Sequence, residues 1–136
     1  MQFVPYLNFN GQCEEAFNTY ARIFGVQAPG FFRFGASPMA AQVGPDWTNK
    51  IMHVTMRVGD QSLNGCDVPP PHYQAPQGMR VCLDLQDVAE AERIFNALSE
   101  GGQIGMPIQE TFWAKRFAMF ADRFGTPWMI NVSKPM

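Results

Sequence analysis

The chain has 136 residues, 46% of them hydrophobic, and a formal net charge of −2. That is the composition of a folded globule of one compact domain or two fused half-domains, and not of a disordered tail. Its 10 basic residues are scattered and form no basic stripe, which removes the electrostatic basis for nucleic-acid binding. No apolar run approaches the ~20 residues that span a bilayer, and no basic segment leads into an apolar one at the N-terminus, so a soluble cytoplasmic protein without membrane contact is expected. The three cysteines, Cys13, Cys66 and Cys82, lack CxxC spacing. Reduced thiols are expected, and neither a disulfide framework nor a thiolate zinc site.

Residues 3–25 read as a strand, FVPYLNF, followed by an amphipathic helix, NGQCEEAFNTYARIFG. Asn10 is the expected N-cap, Glu14 and Glu15 suit the positive end of the helix, and Gly25 stops it. Cys13, Ala16, Phe17, Tyr20, Ile23 and Phe24 form its buried stripe. GASPMAAQVGPDWTN at 35–49 reads as a loop between strands. IMHVTMRV then alternates as a strand, and Gly59-Asp60 closes a hairpin. The implied register pairs Val58 with Gln61, Arg57 with Ser62, Met56 with Leu63, Thr55 with Asn64, Val54 with Gly65 and His53 with Cys66. One face is then Val54, Met56, Val58, Leu63 and Gly65; the other is His53, Thr55, Arg57, Ser62, Asn64 and Cys66.

The stretch 67–78, DVPPPHYQAPQG, contains four prolines, which remove backbone donors and favour extended chain. It supplies a linker over 69–78, with His72 as a surface-loop residue. Residues 79–101 then repeat the opening grammar as MRVCLDLQ and DVAEAERIFNALSEG. Asp87 and Glu90 have capping-box spacing, Val88, Ala91, Ile94, Phe95 and Leu98 form the stripe, and Gly101 and Gly102 end the helix. Asp122 to Gly125 reads as a tight turn before Trp128. Because each helical stripe needs a sheet to cover, the repeat predicts an α+β chain of two tandem β-α-β-β-β modules, 1–68 and 79–136, and not a doubly wound parallel sheet.

Alternation separates Phe3, Leu7 and Phe9 from Val4, Tyr6 and Asn8. It likewise separates Met79, Val81, Leu83 and Leu85 from Arg80, Cys82 and Asp84, and Trp128, Ile130 and Val132 from Met129 and Asn131. Polar groups recurring on one sheet face are either solvent-exposed or line a pocket. On that face His53 opposite Cys66 could support thiolate or metal chemistry, although no third orienting residue is evident and a structural or pocket-lining role is the alternative. Arg57 and Arg80 could clamp a carboxylate or phosphate, with Asp84 as a competing internal partner for Arg80. Trp113, Phe112 and Phe117 read as an aromatic wall or as core, and the nine methionines as an adaptable interior.

The opening PYLNFNGQCEEAFNTYARIFG and the closing FWAKRFAMFADRFGTPWMIN carry a further signal. The words AF-x-x-Y-x-x-x-FG and D-x-FG-x-x-W together resemble a PhnB-like protein of the glyoxalase/bleomycin-resistance (vicinal oxygen chelate) superfamily, also labelled a 3-demethylubiquinone 3-methyltransferase domain. The resemblance spans nearly the whole chain and implies curved mixed sheets that form a cup. It also implies four inward metal-ligand positions, which fall here at Val4 or Tyr6, Asn64, Arg80 and Met129. None is a His or Glu, so the usual metal site is expected to be absent and no cofactor is expected. The methyltransferase label is not adopted, since a doubly wound methyl-donor site needs a glycine-rich strand-to-helix turn. The expected protein binds a small anionic or aromatic molecule in a cup lined by Tyr6, Asn8, His53, Asn64, Arg80, Trp113 and Met129. Catalytic residues are unassigned, and a homodimer is expected from the resemblance and from open sheet edges. The rival is a metal-dependent lyase, isomerase or dioxygenase-type enzyme with a relocated site, such as His53 with Asp84 or Glu110. A third reading makes the polar sheet face a partner surface.

Overall fold

The computed structural model describes residues 1–135 and falls into two compact units that divide between Ala75 and Pro76. The first unit runs β1 (Tyr6–Phe9), α1 (Cys13–Phe24), β2 (Gly30–Arg33), α2 (Ala40–Val43), β3 (Ile51–Val58) and β4 (Gln61–Asp67). The second runs β5 (Val81–Leu85), α3 (Val88–Ser99), β6 (Gln103–Gln109), β7 (Ala114–Ala121) and β8 (Pro127–Ser133). The strand orders are β1-β4-β3-β2 and β5-β8-β7-β6, so each unit repeats the β-α-β-β-β pattern. In both, the first strand lies parallel to the last and the other pairs are antiparallel. Among the described residues no helix is long and apolar enough to cross a membrane.

The hairpin register is the expected one from Val54–Gly65 through Val58–Gln61, with Gly59 at φ 64° supplying the turn. Val54, Met56, Leu63 and Gly65 are buried on the face covered by α1, whereas Val58, beside the turn, is exposed. The contact with α1 is close: a Cβ on Gly65 would lie 2.6 Å from Phe17 Cε2 and 2.9 Å from the Leu7 carbonyl. Phe9, Phe17 and Tyr20 meet edge to face around that point. In the second unit Ala91, Ile94, Phe95 and Leu98 of α3 are buried, as are Phe120, Trp128, Ile130 and Val132 of the sheet.

Several local expectations are corrected. Asn10 is not the N-cap of α1; Gln12 precedes the helix and offers no side-chain cap. The carboxylate of buried Asp67, at the end of β4, accepts instead from the amides of Cys13 and Ile51, both at 2.9 Å. Asp87 does cap α3, accepting from Ala89 N at 3.1 Å, but Glu90 turns to Arg93 (2.6 Å), so the reciprocal half of the capping box is not formed. Residues 35–49 are no plain loop: short 3₁₀ turns at Phe34–Ala36 and Pro45–Trp47 flank α2, and Phe34 packs against Trp47. Phe3 and Met79 lie outside the strands and are exposed, because the parallel ladders begin only at Tyr6 and Val81.

Candidate functional site

Each unit presents one polar surface, built by strand alternation. In the first, Tyr6 of β1 and Thr55 of β3 are both register partners of Asn64 on the intervening β4. The Tyr6 hydroxyl and His53 Nδ1 share a hydrogen bond of 3.1 Å, and His53 Nε2 continues it to Thr55 Oγ1 at 3.2 Å. Because β4 lies between β1 and β3, the Tyr6–His53 bond spans that strand. Beside it the Cys66 thiol donates to Asn8 Oδ1 at 3.6 Å. Asn64 Oδ1 is buried and has no hydrogen-bond partner among the described residues.

Arg57, further along the same face, donates to Ser62 Oγ at 3.1 Å, whereas the phenol and thiol of this face are held protonated. Burial, reinforced by Cys66, pushes the Tyr6 phenol up to about 12. Burial also raises the Cys66 thiol, against the opposing hydrogen bond from Tyr6. Cys66 is therefore a protonated thiol at neutral pH and not the thiolate of a nucleophilic pair.

The second unit holds a cleft of about 820 Å³, whose walls include Met79, Arg80, Cys82, Ile104, Phe120 and Met129. Arg80 Nη1 donates to the carbonyls of Phe120 (3.2 Å) and Trp128 (3.3 Å), which fixes the guanidinium against the sheet. The competing ion pair with Asp84 is not formed; Asp84 accepts from Asn131 at 3.2 Å. Burial, with Asp84 adding to it, raises the Cys82 thiol.

Of the expected lining residues, the structure joins Tyr6 to His53 and Asn8 to Cys66, sets Asn64 against Tyr6, and puts Arg80 and Met129 on one cleft. Trp113 is placed elsewhere in its unit, between Phe112 and Phe117 at ring separations of 4.8 and 5.2 Å. Thr55 and the carbonyls that hold Arg80 were not singled out. The hairpin register already put Thr55 beside Asn64, whereas a carbonyl leaves no mark in a sequence.

The donor set does not fit the superfamily's metal. At the first position Val4 offers no donor and Tyr6 a high-pKa phenol, while Asn64 is a neutral amide, Arg80 a cation and Met129 a soft thioether. Among the described residues no three or more His, Cys, Asp or Glu side chains gather as a metal cluster. Glu110 is paired with Lys134 at 3.0 Å, which lowers the pKa of its carboxyl.

Two β-α-β-β-β units, each with its first strand parallel to its last, give this chain the fold of glyoxalase/bleomycin-resistance proteins. The same fold recurs in a glyoxalase-related enzyme from Fulvimarina pelagi and a glyoxalase/bleomycin resistance protein/dioxygenase family enzyme from Burkholderia phytofirmans, at TM-scores of 0.59 and 0.61 and identities of 18% and 10%. The chain belongs to the 3-demethylubiquinone-9 3-methyltransferase family, whose model matches residues 1–131. It is 36% identical to Protein YjdN of Escherichia coli over 98% of this chain and 97% of that one. Protein PA1353 of Pseudomonas aeruginosa has 44% identity, a TM-score of 0.89 and 99% coverage of both chains.

Proposed function

We propose that the protein binds a small molecule of anionic or aromatic character, without the metal that serves its superfamily. The observation that carries this reading is Arg80: its guanidinium is braced by two carbonyls at one wall of a largely apolar cleft, with no carboxylate paired to it among the described residues. A braced guanidinium loses little freedom when it takes up a carboxylate, sulfonate or phosphate, and the surrounding Ile104, Phe120 and Met129 suit an apolar body. We further propose that the chain acts as a homodimer, since β1, β2, β5 and β6 are the outer strands of their sheets.

The test uses anilinonaphthalene sulfonate, an anionic aromatic dye, as the probe. Arg80→Ala should weaken its binding by ~1.5–3 kcal/mol, about 10- to 150-fold, with the circular dichroism of the fold unchanged. Unchanged affinity would remove Arg80 from the site. Near-stoichiometric zinc, nickel, manganese or iron in the purified protein, with an activity lost on chelation, would restore the metal-dependent enzyme. Sedimentation as a monomer at micromolar concentration would count against the dimer.

A further inference from the structure

The place where the first unit's metal ligands would fall is occupied by something else. A buried polar atom without a partner costs free energy, so native structures rarely keep one without a use for it. Asn64 Oδ1 is such an atom, and it lies on the strand spanned by the Tyr6–His53 hydrogen bond. Tyr6 and Thr55 are the register partners of Asn64, and His53 is hydrogen-bonded to both of them; Arg57 lies further along the face, donating to Ser62. The rings of Tyr6 and His53, 5.8 Å apart and tilted by 34°, remain substantially exposed and offer an aromatic surface.

From this we infer that Tyr6, His53 and Asn64 form a binding site for a neutral hydroxyl group carried on an aromatic ring. The Tyr6–His53 bond is its cover in the free protein. On binding, the cover parts, the ligand O–H donates to Asn64 Oδ1, the ligand oxygen accepts from the Tyr6 hydroxyl, and the ring packs on the exposed aromatic surface. An anion without a proton would bring no donor for Asn64 Oδ1. A divalent cation would find no charged ligand among these side chains. This inference concerns the first unit and does not rest on the Arg80 cleft.

Phenol is the probe, and anisole, which has the same ring but no O–H, is its control. The chain has two histidines, His53 and His72, so long-range imidazole NMR reads the site directly. Phenol should shift the His53 signals and leave those of His72 in place, and anisole should bind at least ~10-fold more weakly, because a site built to hydrogen-bond a hydroxyl rejects the analogue without one. Asn64→Leu should abolish the phenol response while raising the melting temperature by ~3 °C or more, since it removes a stranded polar atom. Arg80→Ala should leave the phenol response intact, which separates this site from the dye test. Equal binding of anisole, no shift of His53, or an Asn64→Leu variant that still binds phenol or melts lower would overturn the inference. The phenol and anisole comparison on the unaltered protein decides the matter if the variant does not fold.

Discussion

The carboxylate of Asp122 receives the amides of Phe124 (2.9 Å) and Thr126 (3.0 Å) on one oxygen and the indole N–H of Trp128 (2.8 Å) on the other. That arrangement explains the spacing D-x-FG-x-x-W: the Asp builds the turn, Gly125 takes the positive φ of 92°, and the Trp is held from the side. Asp122→Ala strands three donors in a buried place and should cost on the order of 3 kcal/mol in urea unfolding, with Asp122→Asn costing about half as much. A loss below ~1 kcal/mol for the alanine variant would show that water replaces the carboxylate. Tyr6 gives a second check. Its folded pKa of about 12 lies above the ordinary tyrosine value of 10.0, so its contribution to stability is complete below pH 10 and is lost as pH rises through 12. The ultraviolet difference titration between the protein and Tyr6→Phe should show phenolate forming near 12; a step near 10 would show the phenol to be hydrated as in a free tyrosine.

Helix–sheet contact decides more at the scale of elements than helix propensity does. Gly65 lets Phe17 of α1 rest on β4, so Gly65→Ala should destabilise by ~1–3 kcal/mol, and Phe17→Leu combined with it should recover part of that loss. Simple additivity of the two variants would mean that the contact is not the cause. Asp87→Ala should cost ~1 kcal/mol through the lost cap of α3. The hairpin of β3 and β4 was legible because Gly59-Asp60 fixes a register and alternation then sorts every side chain. The cap of α1 was not, because Asp67 lies 54 residues from the amide it serves. The four-residue β2, GFFR, carries too few alternations to stand out, and the turns around α2 are set by the packing of Phe34 on Trp47.

For the molecule as a whole, the internal repeat carried the architecture, and each helix with an apolar stripe found its sheet. The faces of the strands are also readable, because alternation and the hairpin register sort the side chains of β1, β3 and β4. The bracing of Arg80 was hidden, because its partners are backbone carbonyls brought near by the pairing of β7 with β8. Since the binding reading rests on a guanidinium and on neutral groups, dialysis against EDTA should leave dye affinity within about twofold of its starting value, measured by fluorescence titration. A loss of an order of magnitude, restored by a divalent ion, would return the metal to the site.

The parallel pairing of β1 with β4 and of β5 with β8 bears on how the chain is made. β1 has a single ladder partner, and residues 61–67 must leave the ribosome before it can be engaged. β5 waits in the same way for residues 127–133, an inner strand of its sheet. Each half is thus completed by its final strand, so vectorial synthesis would release two successive foldings, the second delayed until residues 127–133 have emerged. Nascent chains stalled before residue 127 should leave α3 without a finished sheet and open to proteolysis, while the first half resists it.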